Sequence, residues 1–312
     1  MASETPIAAA GTKALPAAPA AASENLFRKQ FFRLLEGRGA AVGVVILSVM
    51  VISSLLAPWI APQNPYDLTQ ISILDNILPP GSTLSSGKTA WLGTDSQGRD
   101  MLSAILYGTR ISLGVGVISV LIASVVGATI GVAGAFFGRR ADTIIMRIVD
   151  LQLSFPSILI ALVLLSVFGR GIDKVIIALV AVQWAYYART VRGSALVEIN
   201  KDYVAAANCL QLPRWRILFR HLLPNCIPPL IVIATIHIAG AIMLESTLSF
   251  LGVGVPVTQP SLGMLISTGY DYLMSGRYWI SVFPGLALVL IIVSINLIGD
   301  RLRVILNPRL VQ

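Results

Sequence analysis

A chain of 312 residues with 55% hydrophobic and 12% charged side chains and a mean hydropathy of +0.80 is too poor in charge for a soluble globular domain, where about 25% is usual. The net charge of +8 comes from Lys and Arg placed between apolar runs, a pattern that orients membrane helices and gives no sign of a nucleic-acid partner. Two cysteines, Cys209 and Cys226, and two histidines make neither a disulfide framework nor a metal centre.

Residues 1–24 are rich in Ala and Pro without a periodic apolar face, which reads as a disordered tail. No small-residue cleavage pattern follows a short apolar core, so the segment is not a signal peptide. FRKQFFRLLEGR at 27–38 is basic and aromatic and suits a collar on the inner membrane surface. The charge-free run 39–66 is long enough for a first transmembrane helix. Residues 25–66 thus form a cytoplasmic collar and the first span, and 67–110 an extracytoplasmic loop.

That loop contains GSTLSSGKT at 81–89, with five residues between the glycines. A phosphate-wrapping loop needs four, after a strand, so ATP is not expected to bind here. ATP use would require a partner. In WLGTDSQGRD at 91–100, Gly93 and Gly98 suggest tight turns, and Asp95 or Asp100 has Arg99 or Arg110 within reach for pairing.

The second charge-free run, 111–138, carries Gly127, Gly131, Gly134 and Gly138, a small-residue seam for close helix packing on another span or a second subunit. Arg147 and Asp150 stand three apart at the inner membrane edge and are expected to pair on one helix face. Phe155-Pro156 then removes a helix hydrogen bond and kinks the third span, 151–169. The run 175–188 is short and crosses only if Arg189 and Arg192 extend to the cytoplasmic interface. Residues 201–225, KDYVAAANCLQLPRWRILFRHLLPN, are basic and amphipathic. They break after Gln211 and restart at Pro213, with Tyr203, Ala206, Ala207 and Leu210 on one face and Trp215, Leu218, Phe219 and Leu222 on another. Such a helical pair is a docking surface.

The runs 222–244 and 278–299 complete six spans. Glu245, at membrane depth, is a functional candidate by default: it either binds a cationic group or locks neighbouring helix ends. His237 reads as a hydrogen-bonded packing residue. Residues 260–279 read as a short amphipathic helix in the outer interface, with Tyr270, Tyr272, Tyr278 and Trp279 as an aromatic belt. With the N-terminus inside, 17 of the 23 basic residues fall in inner segments, which places both termini in the cytoplasm.

The segment 201–225 resembles the coupling loop, or EAA loop, of ABC importer permeases, in which D-Y-V-x-A-A, W-R-I and R-H-x-L-P-N recur. WLGTDSQGRD, followed by YGTRISL, is similar to a segment of dipeptide and oligopeptide ABC permeases. R-x-x-D followed by F-P, and E-x-x-L-S-F-L-G-x-G, fit the same group. Two positions depart from the pattern: Ala205 stands where the family has glutamate, and Gln211 where it has glycine.

The resemblance implies an all-α integral membrane protein with the type I ABC importer permease fold, its core at 111–312 and its coupling loop near 194–221. It implies an inner-membrane transport subunit for di- or oligopeptides, with nickel chelates or glutathione as alternatives, and no enzyme activity of its own. Implied partners are a second homologous permease, two ATP-binding subunits that hold ATP and Mg, an extracytoplasmic substrate-binding protein and the lipid bilayer. Asp202, Tyr203, Ala206, Ala207, Leu210, Gln211, Arg214, Trp215 and Arg216 would contact the ATPase. Arg147, Asp150 and Glu245 are candidates for gating or the translocation path. A proton-driven secondary transporter relaying through Glu245, Asp150 and His237 is the rival from another class.

Overall fold

Apolar runs free of breakers become long helices here, and runs interrupted by proline become corners. The computed structural model describes residues 33–306 apart from 68 and 257. The expected tail and most of the collar lie outside the described residues. The first apolar run forms α1 (Arg38–Leu55), then a short α2 (Ala57–Ile60) that opens on Pro58, where no helical N–H is required.

The outer loop carries a small hairpin, β1 (Ser82–Thr83) against β2 (Thr89–Ala90), antiparallel with Ser82 opposite Ala90. The glycine string that mimics a phosphate-binding loop is therefore a hairpin.

α3 (Met101–Phe136) starts well before the charge-free run at Ile111. Asp100 caps it by accepting from the Ser103 N–H at 2.8 Å, which satisfies one of the free amides of the first turn. Met101, Ala104 and Ile105 then bury that turn against Ile242, Leu262, Leu265 and Trp279 of later helices, and Tyr107 meets Tyr66 edge to face. Loss of charge marks the hydrocarbon, not the helix. Thirty-six residues extend about 54 Å, well beyond a ~30 Å core.

α4 (Arg139–Leu153) and α5 (Ser157–Phe168) meet at 88°. The expected kink at Pro156 is a complete break, with Pro156 as the residue before the new helix. α6 (Ile172–Glu198) runs unbroken through the short apolar stretch and on past Arg189 and Arg192.

A compact inner segment follows: α7 (Asp202–Cys209), α8 (Arg214–Arg216), a π-helical turn (Ile217–Leu222) and α9 (Leu223–Asn225). The chain then returns through α10 (Ile227–Phe250), α11 (Leu262–Tyr270) and α12 (Trp279–Leu306). Among the described residues, four helices (α1, α3, α10 and α12) are long and apolar enough to cross a bilayer, or five with the α4–α5 pair taken as one span.

α3 and α6 share the largest helix contact. A β-carbon on Gly127 would lie 2.4 Å from the Trp184 carbonyl oxygen, and one on Gly131 2.3 Å from that of Ala188. The glycine seam therefore faces α6 within this chain, but only its first half. A β-carbon on Gly134 would make ordinary contact, and Gly138 borders open space in the turn to α4. α1 packs along α12, and the Arg301 guanidinium donates to the Arg33 carbonyl at 3.3 and 3.4 Å. The two ends of the described chain therefore lie together.

α11 corrects the expected interfacial helix. Leu262, Met264 and Leu265 are buried, and Gly263 and Gly269 bring its backbone onto α10 and α12. Tyr270 and Tyr278 are exposed, but Trp279 is buried and its indole N–H donates to the Thr94 carbonyl at 3.2 Å. That bond takes Trp279 out of an aromatic belt and pins the outer loop to α12. Beside it Arg99 and Asp95 form a fully buried pair at 2.6 Å, the pairing that the turn residues allowed.

Candidate functional site

The inner segment is anchored by residues the amphipathic pattern only partly identified. Val204 and Ala207 of α7, with Ile217, Leu218 and Leu222 of the π turn, pack against Val132 of α3 and Val191 of α6. Val204 and Ile217 were absent from the expected faces. In the opposite direction Ala206, Leu210 and Gln211 are exposed, as are Asp202, Arg214 and Arg216. Trp215 is 63% and Phe219 49% exposed, whereas Leu218 and Leu222 are buried. The split runs along two pairs four residues apart, Trp215 and Phe219 turning outward while Leu218 and Leu222 pack inward.

The corner between α7 and α8 has a specific backbone cause. The Leu212 N–H donates to the Ala207 carbonyl at 3.2 Å and the Gln211 N–H to that of Asn208 at 2.9 Å. This is the Schellman ending, which places the residue after the cap in the left-handed region. That residue is Gln211, with φ 52°, so a side chain occupies a position that favours glycine. The departure at Gln211 leaves the turn intact. Ala205 is exposed, so the missing glutamate alters the outward surface and not the packing.

Tyr203 faces inward. Its hydroxyl donates to Glu198 at 2.9 Å and accepts from the Asn225 side-chain amide at 3.3 Å. Lys201 pairs with the other Glu198 oxygen at 2.7 Å. Burial first, and then the Glu198 carboxylate, push the Tyr203 phenol up to about 12. Glu198 and Asn225 also line a cavity of about 840 Å³ between α6, α10 and α12, with Pro229, Ile236 and Arg303 on other walls.

The three path candidates do not form one cluster. Arg147 is exposed, and Asp150 pairs with Arg189 of α6 instead of Arg147. The expected Arg147–Asp150 pair is replaced because α4 lies beside α6, whose inner half brings a guanidinium to Asp150. One turn pair nearer the start of α4, Asp142 receives Arg192 in two-fold fashion at 2.8 and 2.6 Å. The sequence reading missed this partner. Glu245 is completely buried, accepting from Ser112 at 2.9 Å, Ser249 at 2.8 Å and Ser246 at 3.3 Å. It joins α10 to α3, the arrangement of a lock. His237 has no hydrogen bond among the described residues. It packs instead against the rings of Tyr186 and Tyr187, with centroids 5.2 Å away in each case.

Long apolar helices whose inner ends carry an outward-facing helical pair define an integral membrane transport subunit. Residues 119–312 match the family described as binding-protein-dependent transport system inner membrane component, and residues 25–80 match the N-terminal TM domain of oligopeptide transport permease C. The chain belongs to that family of ABC importer permeases. It is 41% identical over 278 residues to a putative peptide transport system permease protein of Brucella suis, covering 89% of this chain and 90% of that one. It is 36% identical over 284 residues to the di/tripeptide transport system permease protein DppC of Pseudomonas aeruginosa (90% and 92% covered). It is 39% identical over 276 residues to the dipeptide transport system permease protein DppC of Escherichia coli (88% and 90%). In fold it is similar to the inward-facing MetNI methionine ABC transporter, with TM-score 0.53 and 22% identity over 66% of this chain and 97% of that one.

Proposed function

We propose that this chain is one of two homologous permease subunits of a bacterial inner-membrane importer for di- and oligopeptides. In this reading it crosses the membrane six times, with α6 as the crossing that carries charge at its inner end, and both termini are cytoplasmic. The contact between Arg301 and Arg33 supports termini on one side. Two ATP-binding subunits, which hold ATP and Mg, dock on the inner segment, and an extracytoplasmic binding protein delivers the solute to the outer face. ATP-driven closure of the ATPase pair moves α7 and α8, and the spans rock between inward and outward openings.

The observation that carries this reading is the exposed stripe of Ala206, Leu210, Trp215 and Phe219 on elements anchored to the inner ends of α3 and α6. A contiguous exposed apolar patch marks an interaction site. The peptide relatives favour peptides over nickel chelates or glutathione as cargo. Sealing of Glu245 among serines speaks against a proton relay through it.

The test is Leu210→Asp in the assembled transporter. Expected are loss of ATPase co-purification and of ATP-driven peptide uptake, while the chain remains membrane-inserted and monodisperse. Peptide uptake by the chain alone, or retained ATPase binding in the variant, overturns the proposal.

A further inference from the structure

Of the path candidates recognised from charge, Asp150 reaches α6 through the exposed Arg189, three residues from Tyr186 and four from Gly193. On α6, Tyr186, Arg189, Thr190, Gly193, Ser194 and Val197 recur at helical spacing on one side. On α10, Val232, Ile236, Gly240, Met243 and Thr247 do the same. The lower members Ser194, Val197, Val232 and Ile236 wall the cavity of about 840 Å³. Further up, Gly193 and Gly240 have nothing within 4 Å of where a β-carbon would stand, so the face stays open above the cavity.

Near the middle of both helices Tyr186 and His237 meet edge to face, with centroids 5.2 Å apart. Tyr186 is 40% exposed, and neither its hydroxyl nor the His237 imidazole has a hydrogen-bond partner among the described residues. A hydroxyl left unpaired in hydrocarbon costs about 2–7 kcal/mol. Polar groups at membrane depth therefore face a protein interior or a water-filled cavity, not lipid. Two more polar atoms beside this pair, the Tyr187 hydroxyl and Gln183 Oε1, are buried and also lack partners.

Resting on the permease reading above, we propose that Tyr186 and His237 form this chain's wetted contact with the transported solute at the membrane midplane, continuous with the inner cavity. Besides His237 and the Tyr186 phenol, the ionisable residue on this side is Arg189, which is exposed and paired with Asp150. With that guanidinium paired, the wall around Tyr186 and His237 selects by hydrogen bonds and width more than by charge. The class of ligand is a small polar solute with peptide-type donors and acceptors and varied side-chain charge.

The experiment is thiol labelling in the assembled transporter in proteoliposomes, in a Cys209→Ser, Cys226→Ser background. Thiols react as thiolates, which form only where water reaches. Tyr186→Cys and Gly240→Cys, the latter facing open space, are treated from the cytoplasmic side with a charged, membrane-impermeant methanethiosulfonate. Val45→Cys on the exposed side of α1 is the control. Both test positions are expected to label to completion and the control not at all, with a translocated dipeptide slowing labelling of Tyr186→Cys. Absence of labelling at both positions, with ATPase subunits still co-purifying, means that lipid or the second permease covers the face and overturns the inference alone. Failure of ATPase subunits to co-purify with the unmodified chain overturns the permease reading instead, and the labelling still reports water access.

Discussion

The Tyr203 hydroxyl donates to the Glu198 carboxylate at 2.9 Å, and through this bond a helix at the docking surface holds a residue that walls the inner cavity. Asn225, on a second wall, reaches the same hydroxyl at 3.3 Å. Any displacement of α7 would act on both walls at once.

Tyr203→Phe removes this link but leaves the apolar anchor of Val204 and Ala207 in place. A hydrogen bond to a charged acceptor is worth about 1.5–3 kcal/mol. We expect normal assembly and ATPase binding, with uptake per ATP reduced about tenfold, equivalent to ~1.4 kcal/mol. Unchanged coupling would mean that Lys201 alone positions Glu198. The phenol does not titrate near neutrality. Because its folded value is raised from 10.0 to about 12, its contribution is complete below pH 10 and is lost as pH rises through about 12.

Gln211→Gly removes a side chain from a left-handed position, φ 52°. The strain of a side chain there is about 1–2 kcal/mol, partly offset by the greater freedom of glycine in the unfolded chain. The variant is expected to raise the thermal unfolding temperature slightly and slow proteolysis between α7 and α8. Gln211→Val, with a β-branched side chain at the same φ, should do the opposite.

Gly131→Ala places a carbon 2.3 Å from the Ala188 carbonyl oxygen. Two backbones must separate, at a cost of about 1–3 kcal/mol or more. Gly114→Ala, on the same helix with nothing within 4 Å, should stabilise by about 0.5–1 kcal/mol. Thermal stability of the purified variants in detergent separates the two, and equal effects would refute the α3–α6 seam.

Asp142→Asn tests the two-fold contact with Arg192. Arg192 holds the Asp142 carboxyl below its ordinary 3.8, so the pair's stabilisation is present above that value and lost as pH falls through the lower folded one. The side chains are 33% and 21% exposed, which limits the effect to about 1 kcal/mol. Wild type and variant should differ in thermal stability at pH 7 and converge below pH 3.8.

Much of the architecture was legible because charge and hydropathy mark where hydrocarbon begins and ends. The same signal misplaced the start of α3, since the turns before Ile111 are buried by α10, α11 and α12 and not by lipid. The helical pair at 201–225 was readable from the break at Gln211 and Pro213. Its faces were only half right, because packing on Val132 and Val191 turns Leu218 and Leu222 inward and leaves Trp215 and Phe219 outside. Arg147 and Asp150 look like partners at helical spacing. The choice of Arg189 over Arg147 depends on how α4 lies against α6, which no local pattern encodes. Tyr186 is unremarkable in the sequence and meets His237 only through helix packing.

The right angle between α4 and α5 is held by little of its own backbone. The α4 arm is tied to α6 at three levels: Asp142 to Arg192, Asp150 to Arg189, and Gln152 to both the Ala181 carbonyl and the Trp184 indole. Such a corner behaves like a shelf bracket, its angle set by struts to the upright and not by the bend. Shifting α6 along its axis would swing the whole α4 arm as one piece, so a small slide becomes a wide sweep at the far end of that arm.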